Sequence, residues 1–410
     1  MALIIRDVNT KNDRRHLHRI WHEVGWIKPD TYKYMDNWID NSSGLVAELN
    51  GQPECYVTSI RGDFKYQNSH LPFSCISGVT TSLIARKQNL AGKTTAKKIA
   101  DDALSGAIIC GLGMFEQGYY NQLGFGTGTY EYVIHFSPAT LNINIPFGVP
   151  ERLNIKDLKD IHKSRENRLR KHGSCVLSEV ITKFEISCNA KRFGLGYRNK
   201  EGELTHHIWL YGLGSENGPM SVIWMAYQNY DQLMELLALL KSFGDQIMLV
   251  RMLEPPGIYL QDFLDKPFYH RELSKDSKYM NQNKALSFWQ IRILDLFKCL
   301  EATALPISKF AFNLKLIDPI EKFLEEDCEW QGISGEYIIT LGTESKCESG
   351  IDPTLETLET TVNGFTRMWA GVLPASSLKL SEHFITNKGL IQRLDDAFAT
   401  LPKPHPDWDF

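Results

Sequence analysis

The chain has 410 residues, 43% apolar and 23% charged, so at roughly 150 residues per domain it predicts two or three folded domains and excludes a disordered chain. Its 45 Lys and Arg against 49 Asp and Glu give a formal charge of −4, with no basic excess to attract a nucleic acid. No run reaches the roughly 18 apolar residues of a membrane span, charge at Arg6 interrupts any leader, and the eight cysteines form no close pair for zinc or redox chemistry, which predicts a cytoplasmic chain with free thiols.

The first third alternates strands and helices. A short β-rich run covers 2–8, and Leu17, Ile20, Trp21 and Val24 have the spacing of a helix over 13–24. Segments 44–49 and 52–60 flank Asn50-Gly51, the strongest short hairpin signal. A strand follows at 73–81, a basic Ala-rich helix at 91–104, a buried-type strand at 106–112, a helix at 114–123 and a strand at 127–136. Such an order predicts an α/β fold, a mixed sheet with helices on its faces. Pro138, Pro146 and Pro150 mark a first boundary. The middle third then resembles a worn copy: a helix at 155–171, strands at 193–197, 206–211 and 221–226, a helix at 231–243 and a strand at 246–253. His206 and His207 lie in one of those strands, where neighbours face opposite sides and cannot share a metal. Polar residues 274–284 read as a second linker. The remainder predicts a strand then a helix over 288–300, strands at 310–317 and 337–341, helices at 355–369 and 390–399, and a proline-extended tail.

Gly92-Lys93-Thr94 imitates the end of a nucleotide-binding P-loop, but the glycine required five residues earlier is Lys87. The same stretch also reads Arg86-x-x-Asn89-x-Ala91, one step from the Arg/Gln-x-x-Gly-x-Gly/Ala signature of the GCN5-related N-acetyltransferases. A strand ending at Thr81 would feed a loop whose amides, with the positive end of the next helix, face a pyrophosphate. Arg86, Lys87 and Lys93 add charge, and Asn89 replaces the first glycine with one of the few residues that enter left-handed backbone space cheaply. Further along, Tyr120-Asn121-Gln122-Leu123-Gly124-Phe125 is similar to the Tyr-x-x-x-Gly-Phe element that closes the same superfamily's core. A tyrosine hydroxyl there can protonate a departing thiolate.

Ile76-Ser77-Gly78-Val79-Thr80 and Tyr120–Gly126 together resemble the Eis (enhanced intracellular survival) branch of that superfamily. Residues 288–295, the Leu314-x-x-x-Asp318-Pro319 element and the aromatic-ended tail 395–410 extend the likeness to the third part. The resemblance implies tandem acetyltransferase-like domains, catalytic over 1–140 and degenerate over 141–284, followed by a sterol carrier protein 2-like domain over 285–410. It implies transfer of an acetyl group from acetyl-CoA to a small cationic amine without a metal, and assembly into a homo-oligomer, a hexamer. Coenzyme A would be held by Val79, Thr80, Thr81, Arg86, Lys87, Asn89, Ala91 and Gly92, with Tyr120 as acid. Strand 73–81 contains no carboxylate, and in the Eis branch the C-terminal carboxylate, here that of Phe410, enters the site as base. An α-carboxyl ordinarily titrates at about 3.3–3.7, so such a group needs desolvation or acts as a positioner. Asp409 would attract the cationic amine. The rival expectation is a protein of the same fold that binds coenzyme A or a lipid without turnover.

Overall fold

In the computed structural model, which describes residues 4–212 and 216–408, the first sheet grows by hairpins. Ser43–Leu49 turns into Gln52–Tyr66 through Asn50 and Gly51, whose φ values of 54° and 75° are those a two-residue primed turn requires. The next strand, Ser69–Thr81, is reached through Gln67 at φ 51°, so the sequence expectation missed the far ends of both strands. Gln67-Asn68 carries no glycine and gives little turn signal.

Two compact units form, one of residues 1–129, 171–177 and 288–410, the other of 130–170 and 178–287. The main sheet of the first unit runs in the order Ile4–Asp7, Ser43–Leu49, Gln52–Tyr66, Ser69–Thr81, Ile109–Gly113, Trp289–Ile293, Gly126–Thr127, with Cys175–Leu177 beside Gln52–Tyr66. Helix Leu90–Leu104 lies on this sheet, burying Ala96 and Ile99 in one cluster with Val57, Ile76 and Leu112. Buried Asp102 fastens the helix, accepting from Ser59 Oγ at 3.0 Å and Ser74 Oγ at 2.6 Å and pairing with Lys98 at 3.0 Å. In the same unit, Phe310–Ile317 pairs antiparallel with Gly335–Leu341 and parallel with Thr357–Thr361. The helix expected over 355–369 is therefore half strand. Leu358 and Thr360 face the core with strand alternation, and the helix is Val362–Trp369.

The second unit orders its strands Gln282–Leu286, Glu131–Phe136, Val250–Leu253, Met220–Ala226, Leu204–Gly212, Arg192–Arg198, Glu151–Leu153. Helix Tyr230–Ser242, capped by Asn229 Oδ1 on the Gln232 amide at 3.0 Å, buries Leu233, Leu236, Leu237 and Leu240. Each unit thus runs antiparallel strands, a helix, then a parallel strand: Met220 pairs with Val250 as Phe73 pairs with Ile109. The mixed α/β class expected from the sequence is the one adopted. One expected strand, 127–136, is in fact two: Gly126–Thr127 stays in the first sheet, while Glu131–Phe136 belongs to the second. Gly128 still donates to the Trp289 carbonyl at 3.0 Å, and the Trp289 ring lies where its Cβ would be, so only glycine fits at this point. The expected linker 274–284 ends as the edge strand Gln282–Leu286. Among the described residues no helix is long and apolar enough to cross a membrane.

Candidate active site

Strands Ser69–Thr81 and Ile109–Gly113 run parallel but pair only from Phe73 opposite Ile109 to Ile76 opposite Leu112. Beyond Ile76 the first strand bulges. Ser77 lies opposite Thr58 and Thr80 opposite Tyr56, which leaves Gly78 and Val79 against the single residue Val57. Gly78 has φ +65°, a conformation natural to glycine, and its Cβ position is 3.0 Å from the Thr58 methyl. A bulge bends its strand, and here the bend follows the last pair with Ile109–Gly113. Ser77, Gly78 and Val79 are half-buried beside that parting. Thr80 is buried and donates to the Gly78 carbonyl at 3.0 Å; Thr81 donates to Cys55 Sγ at 3.4 Å. In open α/β sheets such a parting, at the carboxyl ends of the strands, is where ligands enter.

The strand continues into an exposed loop and then a helix. Lys87 and Asn89 both hold left-handed conformations, φ 60° and 58°, and Asn89 is the residue from which Leu90–Leu104 starts. The first bond of its ladder runs from the Lys93 amide to the Asn89 carbonyl at 3.1 Å, so the amides of Leu90, Ala91 and Gly92 lie ahead of it. Arg86, Lys87 and Asn89 are exposed, Ala91 is half-buried and Gly92 buried. A Cβ on Gly92 would come within 2.9 Å of the Phe323 ring. Cationic side chains and the first amides of a helix thus lie at the end of the parted strand, an arrangement able to hold an anion.

Tyr120 lies on the short helix Gln117–Asn121, which Glu116 caps by accepting from the Gly118 amide at 3.0 Å. Its ring is 8% exposed and stacks edge-on against Tyr119 (4.9 Å) and Phe125 (6.3 Å). Burial, helped by the Glu116 charge, pushes the phenol up to about 12. At neutral pH it therefore keeps its proton. Tyr119, which the sequence did not single out, is raised by burial and stands beside the Thr95 hydroxyl. Sequence reasoning also missed the polar residues that hold this segment, Arg292, Asn363 and Arg367, because they come from the last third of the chain.

Asp409 and Phe410 lie outside the described residues. The tail before them is held within the first unit. Lys403 donates to the Val372 carbonyl at 2.8 Å, His405 N to the His172 carbonyl at 3.1 Å, and Cys175 N to the Pro406 carbonyl at 2.7 Å, while Trp408 is 5% exposed. His206 and His207 face apart, the first to Glu235 at 3.2 Å and the second to Ser164 and Trp224 at 3.0 Å.

No family model matches the chain, and no curated protein matches it in sequence. Its fold, however, is shared end to end with solved structures. A probable N-acyltransferase of unknown function from Enterococcus faecalis V583 superposes with a TM-score of 0.81 at 14% identity, covering 100% of both chains. A GCN5-related N-acetyltransferase from Anabaena variabilis gives 0.80 at 12% identity, and Eis1 from Mycobacterium abscessus 0.77 at 12%, each over 100% of both chains. At these identities the likeness is one of fold.

Proposed function

We propose that the chain is an N-acetyltransferase that moves an acetyl group from acetyl-CoA to an amine of a small cationic substrate by direct attack. The observation that carries this reading is the parting of the two parallel strands after Ile76 and Leu112, next to the helix that starts from left-handed Asn89. Arg86, Lys87 and the amides from Asn89 to Gly92 hold the pyrophosphate of coenzyme A, and Ala91 and Gly92 allow it close. Amides around Val79, Thr80 and Thr81 polarise the thioester carbonyl. Tyr120, protonated at neutral pH, gives its proton to the departing thiolate. Phe410, through its α-carboxylate, takes the proton from the attacking amine, and Asp409 draws the cation in. Residues appended after Phe410 would move that carboxylate and should slow turnover without lowering the melting temperature.

In the same reading, 1–140 is the catalytic domain, 141–284 its degenerate copy and 285–410 a sterol carrier protein 2-like domain, and the chain assembles into a hexamer. Light scattering that returned only a 46.8 kDa particle would remove the last point. Thiol release from acetyl-CoA, followed across a panel of polyamines and aminoglycosides, tests the function. Release with at least one amine supports it; coenzyme A binding without release from any would favour a binding protein on the same fold.

A further inference from the structure

Four carbonyls following Tyr120, at alternate positions, all accept hydrogen bonds from side chains more than 150 residues away in sequence. Asn363 Nδ2 donates to the Asn121 carbonyl at 2.9 Å and to the Phe125 carbonyl at 3.0 Å. Arg292 donates to the Leu123 carbonyl, and Arg367 Nε to the Thr127 carbonyl at 3.0 Å. The Asn121 carbonyl also accepts from the Gly124 amide at 3.1 Å, so the remote side chains add to the hydrogen bonds that the turn makes for itself. Close approach is built in. A Cβ on Gly124 would sit 2.7 Å from Arg292 Nη1, and one on Gly126 would sit 2.6 Å from Arg367 Cγ and 2.8 Å from the Asn363 carbonyl.

Asn363 occupies the centre of this brace. It is 5% exposed, and its single amide group joins the end of the Tyr120 helix to Phe125, whose ring packs against the Tyr120 ring. The amides of Leu123 (2.9 Å) and Phe125 (3.3 Å) in turn donate to the Tyr120 carbonyl. Asn363 therefore closes a loop of hydrogen bonds around the residue that carries the phenol. The phenol's place is set by backbone and ring packing, and both pass through this turn.

We propose that Asn363 is a positioning residue for the acyl transfer, fixing the Tyr120 hydroxyl where the thiolate leaves. The inference rests on the reading of Tyr120 as proton donor. It is tested by a double-mutant cycle on the full chain with Asn363→Ala, Tyr120→Phe and the double variant. Steady-state kinetics, acetyl-CoA calorimetry and melting temperatures are measured for each. A displaced donor can cost about 10²-fold, so Asn363→Ala should lower kcat by about that factor while KM for acetyl-CoA moves less than about threefold. In the Tyr120→Phe background the same substitution should change kcat by less than about threefold, because no hydroxyl is left to position.

Equal losses in both backgrounds would make Asn363 a structural residue and overturn the proposal, as would an unchanged kcat in Asn363→Ala. If the Ala variant does not fold, Asn363→Ser, which keeps one donor, enters the same cycle with a smaller loss expected and the same criterion. A fully active Tyr120→Phe would overturn both the donor and its positioning residue. A wild-type protein that releases no thiol would instead overturn the acetyltransferase reading itself, so the failures are distinguishable.

Discussion

Replacing Asp318 by Asn should cost about 3–5 kcal/mol, the usual penalty for removing one partner of a buried ion pair. The Arg292 and Asp318 side chains meet at 2.6 Å with 0% exposure on either side. Asp318 also accepts from the Ile320 amide at 3.2 Å and the Ile333 amide at 3.0 Å, and Arg292 reaches the Leu123 carbonyl. An Asn at 318 keeps one acceptor oxygen but turns an NH₂ group toward either the guanidinium or a backbone amide, donor against donor. The remaining Arg292 charge then has neither water nor a counter-ion. Replacing both, Arg292→Met with Asp318→Leu, removes the stranded charge and should recover much of the loss. Recovery stays incomplete, because the Leu123 carbonyl and two amides lose partners at about 1–3 kcal/mol for each buried group. Guanidinium denaturation followed by tryptophan fluorescence is the assay, since the Trp330 ring lies 5.4 Å from the Arg292 guanidinium. A single-variant loss below about 1 kcal/mol, or a double variant worse than the single, would refute the reasoning.

Arg86→Glu should weaken acetyl-CoA binding by more than about 1 kcal/mol by calorimetry, since it sets a carboxylate against a phosphate. Asn89→Gly should bind as well as wild type, because φ 58° suits glycine, and unchanged affinity in Arg86→Glu would move the cofactor elsewhere. Burial and the nearby Arg165 hold the His207 imidazole down to about 3, and burial holds His162 down to about 4, both below the unfolded value. The unfolded chain therefore binds these protons first. Their contribution is complete above about pH 6.5 and drains as the pH falls toward the folded values, at up to about 1.4 kcal/mol per pH unit for each histidine. The denaturation midpoint of the second unit should drop between pH 6.5 and 4.5 and His207→Asn should flatten that slope; a midpoint that holds steady contradicts this. With Tyr120 at about 12, kcat should show no alkaline loss from this group up to about pH 10, and a basic limb near 8 that vanished in Tyr120→Phe would contradict its burial.

Local signals in the sequence located most elements of both units. Asn50-Gly51 placed the first hairpin, and the Leu233, Leu236, Leu237 and Leu240 stripe placed the long helix of the second unit. What stayed hidden depends on partners distant in the chain. The strand Trp289–Ile293 reads as the start of a third part, yet it fills the first sheet between Ile109–Gly113 and Gly126–Thr127. Nothing local distinguishes Glu131–Phe136, which joins the second sheet, from Gly126–Thr127, which does not. Helix Tyr32–Asn41 was missed although Tyr32, Met35, Trp38 and Ile39 recur at helical spacing and pack against one cluster. In the site, the loop after Thr81 was read from its likeness to a known signature, and Asn89, where that signature has glycine, takes a left-handed conformation. The brace around Tyr120 was not, since nothing in Asn363 or Arg292 marks them as partners of carbonyls at 121–125.

Thiol release from acetyl-CoA in the presence of an accepted amine, compared between wild type and Tyr120→Phe at matched melting temperature, tests the central claim most directly. The account predicts turnover in the wild type and a kcat lower by about 10²–10⁴-fold in the variant, with acetyl-CoA affinity nearly unchanged. A variant that turns over at the wild-type rate, or a wild-type protein that releases no thiol with any amine, would contradict it.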